Sequence, residues 1–342
     1  CHCLVGSEMC IRDRDIVDEI ILSSKNGLPM KREKDIIDVW FESGSMPYAQ
    51  IHYPFENKNL IDQKTNFPAD FIAEGVDQTR GWFYTLHAIS SLVFNSISYK
   101  NVLSNGLVLD KNGQKMSKRL GNAVDPFDMI DKYSADAVRW YMISNSNPWD
   151  NLKFDEDGVA EVNRKFFGTL ENIYSFFSLY ANIDGFEYKE DHIDVKKRPE
   201  LDRWIISELN SLIKQVDSDL GNYDLTPATR SINDFVQEKL SNWYVRLSRR
   251  RFWKGQYNDD KISAYQTLYE CLITISKLIS PIAPFYSEHI FQSLNMVSKR
   301  EDFNSVHLSN FPDSIPQLID SKLENKINQI RNICSLALSI RK

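Results

Sequence analysis

The spacing of apolar residues changes once along this chain, near Asn122, and that change limits the folds open to it. Upstream, short strand-like runs alternate with one helical segment. Downstream, apolar residues recur at helical spacing, for example at residues 201–220 and 261–280. Helices with short connections pack as antiparallel bundles. We therefore predict an α/β region over residues 15–147 followed by an all-α helix bundle over residues 148–342.

The order of elements in the first region predicts a small parallel sheet. Strands are expected at residues 15–22, 36–41, 67–73 (buried) and 102–109, with a tight turn at Asn26-Gly27. A helix capped by Asp77 would lie between the last two strands. A strand, a helix and a strand with short connections form a right-handed parallel β-α-β unit, and ligands bind beyond the carboxyl ends of such strands.

Composition excludes several classes of protein. The 342 residues carry a formal net charge of −6 and no apolar run of membrane-spanning length, so any RNA contact must come from a local basic patch. Five cysteines do not form a disulfide framework in a chain of this length, and a reducing cytoplasmic compartment is expected. Cys271 and Cys334 lie in apolar helical patterns and are predicted to be buried. Cys1, Cys3 and Cys10 lack a second ligand pair, so no metal site is predicted.

A segment with two lysines, Lys115-Met116-Ser117-Lys118-Arg119, follows the strand at residues 102–109 and a turn at residues 110–113. A lysine is a compact charge on a flexible stem, so such a loop suits a polyphosphate and can follow charge that develops in phosphoryl transfer. A bare K-x-x-K pattern is more often a solvated basic turn. The strand before the loop, and Glu74-Gly75 at the end of a neighbouring strand, favour the phosphate interpretation.

Several segments carry a family resemblance. Residues 115–119 (KMSKR) resemble the second signature loop of class I aminoacyl-tRNA synthetases, and residues 40–44 (WFESG) resemble a segment of their catalytic domain. Residues 74–83 (EGVDQTRGWF) are similar to a segment of the isoleucyl-tRNA synthetases. Residues 241–246 (SNWYVR) and 249–253 (RRRFW) look like their anticodon-binding domain. These motifs occur in the family's order and spacing, and the resemblance covers the chain from about residue 15 to the end.

The resemblance implies a fold and a reaction. The fold is the C-terminal half of a Rossmann-like catalytic domain, followed by an anticodon-binding helix bundle. The reaction is ATP-dependent activation of isoleucine to the aminoacyl-adenylate, followed by transfer to tRNA(Ile). Mg²⁺ would be held largely through the nucleotide rather than by a protein cage. A monomeric cytoplasmic enzyme is expected.

The resemblance also implies roles for individual residues. Lys115 and Lys118 are expected to be catalytic, because they would neutralise charge on the α- and β-phosphates in the transition state. ATP binding is expected of Lys115, Met116, Ser117, Lys118 and Asn105. Binding of the amino acid or adenylate is expected of Glu74, Gly75, Asp77, Gln78 and Trp82. Contact with tRNA is expected of Arg246, Arg250, Arg251, Trp243 and Lys254.

Simpler interpretations exist for several of these residues. Glu74 could be a surface carboxylate at a strand end, although the adjacent Gly75 permits close backbone approach and favours a functional role. Trp82 could equally fill the core between helix and sheet, and Trp40 is expected to be structural. The arginines could face water while neighbouring aromatic residues fill the core. Three consecutive arginines cannot share one helical face, so only some of residues 249–251 can touch RNA.

The chain departs from the family in what it lacks. The first signature, H-x-G-H, is absent from the sequence, and in the family it lies upstream of an inserted editing domain. We therefore expect a fragment that does not form adenylate alone. Residues 1–14 resemble a translated sequencing adaptor and are expected to be non-native. A valyl-type enzyme and a non-catalytic tRNA-binding relative are alternatives, although the intact lysines and Glu74 argue against the second.

Overall fold

A computed structural model of the chain describes residues 19–31, 38–254 and 256–340, except for the side chain of Lys118. The chain forms two compact units, Cys1–Ser104 and Asn105–Lys342. This division follows contacts within the chain, and the domain boundary predicted at residues 147–148 stays a prediction. No helix in the described ranges is long and apolar enough to cross a membrane.

The first unit begins with a short hairpin. Strand β1 (Leu22–Ser23) pairs antiparallel with β2 (Pro29–Met30). Gly27 lies at φ +75° and donates a backbone hydrogen bond of 2.9 Å to the Ser24 carbonyl. The turn predicted at Asn26-Gly27 is therefore confirmed, because this backbone conformation favours glycine. Residues 15–18 of the first predicted strand lie outside the described residues.

A helix stands where the second strand was predicted. Helix α1 (Val39–Gly44) begins after Asp38, whose carboxylate accepts a hydrogen bond of 2.8 Å from the Trp40 N–H. The strand predicted over residues 36–41 is wrong in its described part, because this N-cap starts a helix despite three residues of high β propensity. Residues 36 and 37 lie outside the described residues. Two short helices follow, α2 (Met46–Ala49) and α3 (Lys58–Asp62).

The predicted strand–helix–strand order is confirmed as β3 (Ala69–Gly75), α4 (Trp82–Phe94) and β4 (Tyr99–Asn105). The two strands pair, and the Ala69 N–H donates to the Ser98 carbonyl at 3.0 Å. Both strands thus begin at the same end of the sheet, as a parallel unit requires. The prediction that the first of them is buried is wrong, since five of its seven residues are exposed. Within the described residues β4 is its one strand partner.

The second unit opens with two short parallel strands, β5 (Val108–Leu109) and β6 (Leu152–Lys153), and is otherwise helical. Its helices are α5 (Pro126–Tyr133), α6 (Ala135–Asn145), α7 (Glu156–Val162), α8 (Gly168–Asp184), α9 (Glu200–Gly221), α10 (Leu225–Asp234), α11 (Arg246–Trp253), α12 (Asp259–Ile279), α13 (Pro284–Ser298) and α14 (Ser321–Ile340). Turns of π-helix at Asn163–Phe167 and Phe235–Val245 join α7 to α8 and α10 to α11. The predicted helix bundle is confirmed.

A continuous apolar core fills this bundle, and α12 and α9 each contribute more buried residues to it than any other helix of the described chain. The carboxylate of Asp202 in α9 lies inside this core and has no exposed surface. It accepts hydrogen bonds from the Tyr244 hydroxyl at 2.9 Å and the Ser263 hydroxyl at 2.7 Å. The Arg251 guanidinium adds two more, at 2.6 and 2.8 Å. Because buried charge is tolerated only when paired, this cluster fixes α9, α11 and α12 against one another.

The two cysteines predicted to be buried differ. Cys271 is fully buried in α12, as predicted. Cys334 is exposed, so its predicted burial is wrong. Helix α14 buries Leu323 and Ile327 near its start and leaves the apolar residues of its second half in solvent. Cys1, Cys3 and Cys10 lie outside the described residues.

Candidate nucleotide-binding and RNA-binding sites

The two lysines lie in a loop of residues 110–122, here called the lysine loop, which Asp110 organises at its start. One carboxylate oxygen of Asp110 accepts hydrogen bonds from the N–H groups of Asn112 at 3.0 Å and Gln114 at 2.8 Å. The other oxygen accepts from the Asn122 side-chain amide at 2.9 Å. These donors, the Asn122 amide most strongly, hold the pKa of the Asp110 carboxyl below its ordinary value.

Asn122 closes the lysine loop at its far end. Its amide oxygen accepts from the Ser117 N–H at 2.9 Å, and its amide nitrogen also reaches the Lys115 carbonyl at 3.3 Å. Gly121 before it lies at φ +66°, which lets the chain turn back to this position. The loop is therefore a closed, hydrogen-bonded structure rather than the bare basic turn that its sequence alone would allow.

The predicted ATP-binding residues of the lysine loop occupy different settings. Lys115 is exposed, and its backbone bridges to Leu109. Met116 is half-buried and packs against the core of the bundle. The Ser117 hydroxyl accepts from the Arg119 N–H at 3.2 Å, at the start of the 3₁₀ turn Lys118–Leu120. The backbone is thus anchored on the core while the Lys115 ammonium is left to solvent.

Asn105, the remaining predicted ATP-binding residue, ends β4 and is half-buried. With Met142 and Ile143 it lines a cavity of about 330 Å³. The next residue, Gly106, donates to the Pro148 carbonyl at 2.9 Å, and a Cβ on it would lie 2.3 Å from the Asp150 carbonyl oxygen. Gly106 is therefore required for packing of the segment after α6, a role that the sequence did not reveal.

The predicted amino-acid-binding residues of the first unit follow one another along the chain. Glu74 is exposed, and its side chain forms no hydrogen bond or ion pair in the part of the chain that the structure describes. A Cβ on Gly75 would lie 2.6 Å from a carboxylate oxygen of Asp77. The other oxygen of Asp77 accepts from the Gln78 amide at 3.1 Å. Gly75 thus gives room for the Asp77 carboxylate.

Gln78, not Asp77, caps α4. A 3₁₀ turn, Val76–Arg80, precedes the helix, and the Gln78 side-chain oxygen accepts from the Trp82 N–H at 2.9 Å. The predicted cap at Asp77 is wrong because this extra turn places Gln78 one step closer to the first free N–H of the helix. The Asp77 carboxylate is therefore not used to cap α4.

Trp82 is half-buried, and its indole N–H donates to the Ser43 carbonyl at 3.0 Å. This bond ties α4 to the end of α1. Trp40 packs over Gly81, whose Cβ position lies 3.1 Å from the indole ring. Both tryptophans therefore have a packing role within the first unit, in line with the structural role expected of Trp40.

Helix α11 presents an exposed basic face. Arg246, Arg250 and Trp253 recur at intervals of four and three residues and are exposed, and Lys254 follows at the helix end. On the opposite side Phe252 is buried in the core. Guanidinium groups beside an exposed indole suit RNA through phosphate contact and base stacking.

Two residues predicted to contact tRNA have intramolecular roles instead. Arg251 is bound through both terminal nitrogens to the buried Asp202, and its Nε donates to Asp260 at 3.1 Å. Trp243 is half-buried against the core, and the Arg331 guanidinium lies 5.9 Å from the centre of its ring. One helical step turns Arg251 away from Arg250, so the two cannot serve the same surface.

Sequence reasoning missed the roles of Asp110 and Asn122 in the lysine loop and the capping role of Gln78. The turn signal at residues 110–113 indicated that an aspartate begins the turn, where its side chain commonly accepts backbone N–H groups. No local signal pairs Asp110 with Asn122, because their contact depends on the path of the backbone between them.

Two family models match the chain. The model of class I tRNA synthetases (I, L, M and V) matches residues 7–155, and that of the anticodon-binding domain of tRNA ligases matches residues 202–342. The chain is 61% identical to the isoleucine–tRNA ligase of Bacteroides thetaiotaomicron and 60% identical to that of Cytophaga hutchinsonii, each over 96% of its length. It spans 28% and 30% of the length of those two proteins.

A solved structure has the same fold. This is the agnB2 LeuRS of Agrobacterium radiobacter K84, in a ternary complex with tRNA and LeuAMS. The match has a TM-score of 0.64 and 18% identity and covers 91% of this chain and 36% of that one. The fold and both family models agree. The chain therefore belongs to the class I tRNA synthetases, with a match to their catalytic family followed by an anticodon-binding domain.

Proposed function

We propose that this chain is a segment of an isoleucine–tRNA ligase, which activates isoleucine with ATP and transfers it to tRNA(Ile). The observation that carries the proposal is the 61% identity, over 96% of the chain, to a protein named isoleucine–tRNA ligase. That similarity includes both the lysine loop and the basic face of α11. Three further predictions accompany it: a cytoplasmic location, a monomeric enzyme and a domain boundary at residues 147–148.

The lysine loop handles the phosphates of ATP in this proposal. Lys115 and Lys118 supply positive charge to the α- and β-phosphates as the amino-acid carboxylate attacks and pyrophosphate leaves. Met116 and Ser117 hold the backbone between them, and Asn105 takes part at the adenine side. Mg²⁺ enters with the nucleotide, whose phosphate oxygens provide most of its ligands.

The segment at the end of β3 binds isoleucine or its adenylate in this proposal. Glu74 is an exposed carboxylate with no partner of its own in the described part of the chain, so it is free to accept from the substrate ammonium. Asp77 and Gln78 form a polar pair beside Gly75, suited to ribose hydroxyls or the adenylate. Trp82, whose N–H is already bonded, offers only its ring as an apolar wall.

The basic face of α11 contacts tRNA in this proposal. Arg246, Arg250 and Lys254 are exposed and can neutralise phosphates, and Trp253 is 49% exposed and can stack on a base. Trp253 takes the place of Trp243, which is packed against the core.

The test is amino-acid-dependent ATP–pyrophosphate exchange by a full-length enzyme that contains this segment. Isoleucine should exceed valine by about 10–200-fold in kcat/KM, since one methylene is worth about 1–3 kcal/mol. Preference for valine would establish the valyl-type alternative. Binding of tRNA without exchange by either amino acid would establish the non-catalytic alternative.

Replacement of Lys115 or Lys118 by alanine should lower kcat of exchange by about 10²-fold, because each charge acts mainly in the transition state. Lys111→Ala is the matched control, since it removes an exposed lysine from the same loop outside the KMSKR segment. Equal effects of all three substitutions would contradict a specific role for the two lysines.

A further inference from the structure

Both ends of the lysine loop meet at one polar contact. The Asn122 amide nitrogen and an Asp110 carboxylate oxygen are 2.9 Å apart, and the KMSKR segment lies between these two residues in sequence. We call this pair the Asp110–Asn122 clamp. The loop backbone that carries both lysines therefore begins and ends at this one hydrogen bond.

The hydrogen bonds of the clamp determine its chemistry. The Asn122 amide oxygen must face the Ser117 N–H, because its nitrogen faces the Asp110 carboxylate and the Lys115 carbonyl. A flip of the Asn122 amide, or protonation of the Asp110 carboxylate, would therefore break at least one of these hydrogen bonds. The carboxylate stays ionised near neutral pH, since its donors lower the pKa of Asp110.

The clamp also connects to the backbone on both sides of Lys115. Asp110 accepts from the Gln114 N–H immediately before Lys115, and Asn122 holds the Ser117 N–H two residues after it. Lys118 follows Ser117 directly. The backbone positions of both lysines are therefore set by these hydrogen bonds to Asp110 and Asn122.

We propose that Asp110 and Asn122 are positioning residues for adenylate formation, because they fix the loop from which Lys115 and Lys118 reach the phosphates of ATP. This inference rests on the proposed function. A displacement of about 1 Å in a positioned catalytic group can cost about 10²-fold in rate. The clamp should therefore affect kcat of adenylation, whereas binding of isoleucine, which is assigned to the segment after β3, should not depend on it.

Donor–acceptor exchange provides the first test, in a full-length enzyme that contains this segment. Asp110→Asn places an amide donor against the Asn122 amide, and Asn122→Asp places two carboxylates together. Each should lower kcat of isoleucine-dependent exchange by about 10–10²-fold and leave KM for isoleucine unchanged. The double variant D110N/N122D restores an N–H···O bond with its direction reversed and should recover about tenfold of the loss.

Asp125→Asn is the matched control. Asp125 accepts from the Phe127 N–H at 2.9 Å as the N-cap of α5, a role that asparagine fills equally well. Its kcat should match the wild type. If the clamp variants lose thermal stability but keep the kcat of the control, the clamp has a structural role alone and the proposal is overturned.

Amide hydrogen exchange of residues 110–122 in the 342-residue chain gives a measurement that does not depend on activity. The N–H groups of Gln114 and Ser117 should exchange faster in D110N than in D125N. Unchanged exchange would overturn the proposal even if kcat fell. If the wild type showed no isoleucine-dependent activity, the proposed ligase function would fail, while this exchange measurement would still decide whether the clamp holds the loop.

Discussion

Two neighbouring arginines differ in environment: Arg250 lies on the surface, whereas Arg251 binds a carboxylate in the core. Arg251 is the cationic partner of Asp202, which has no exposed surface, whereas Arg250 is exposed on the basic face of α11. A helical step of about 100° is enough to separate them. Because the sequence presents three arginines in a row, only the position of the buried carboxylate identifies which one is structural.

Alanine substitutions should distinguish these two arginines. Arg251→Ala leaves the buried Asp202 carboxylate without its cation and should lower the free energy of unfolding by about 3–5 kcal/mol. Arg250→Ala should change it by less than about 0.5 kcal/mol. Arg250→Ala should instead weaken tRNA binding. It should also reduce the slope of the logarithm of the tRNA association constant against the logarithm of the salt concentration by about one. Denaturant unfolding and tRNA titrations at several salt concentrations measure both. Comparable destabilisation by the two substitutions would refute this assignment.

Whole elements were predictable where local pattern and tertiary environment agree. The helix expected at residues 201–220 is α9 (Glu200–Gly221), because its apolar residues recur each turn and face one core. Helix α1 was not predictable from its β-branched and aromatic residues, since the Asp38 cap decided its conformation. The KMSKR segment could be recognised from the sequence. The Asp110–Asn122 clamp could not be predicted, because the two residues come into contact only when the loop folds.

Two glycines at element ends should respond oppositely to alanine. At Gly106 a Cβ would lie 2.3 Å from the Asp150 carbonyl oxygen, so Gly106→Ala must displace the segment after α6 and should cost about 1–3 kcal/mol. At Gly221, in the last turn of α9, a Cβ would meet no atom within 4 Å. Gly221→Ala should stabilise the chain by about 0.5 kcal/mol, because glycine loses more backbone entropy on folding. Urea unfolding of both variants measures the change in the free energy of unfolding, which should decrease for Gly106→Ala and increase for Gly221→Ala. Destabilisation by Gly221→Ala would contradict this account.

At the scale of the whole second unit, distant parts of the chain share one core. Met116 of the lysine loop packs against the same apolar cluster that contains Phe252 of α11. The Tyr286 N–H at the start of α13 donates to Asp136 of α6 at 2.6 Å, across 150 residues of sequence. The candidate phosphate loop and the candidate RNA face thus belong to one compact unit, and its stability bears on both.

Asp136 should make the stability of this unit depend on pH. Its carboxyl is 3% exposed, and burial raises its pKa above the ordinary value despite the opposing effects of the Tyr286 N–H, Arg139 and His307. The folded state therefore binds this proton more tightly than the unfolded state, so the contribution of Asp136 to stability increases as pH falls through the raised pKa toward the unfolded value. In Asp136→Asn this contribution is absent.

The unfolding free energy of the wild type relative to Asp136→Asn should accordingly rise between pH 7 and pH 4, because only the wild type takes up the proton. Chemical unfolding of both proteins at several pH values measures the difference. Asp128→Asn, which removes an exposed carboxylate from the first turn of α5, is the control for the loss of one negative charge. A difference that stayed constant with pH would mean that Asp136 titrates alike in the folded and unfolded chains, and that its burial is compensated by its neighbours.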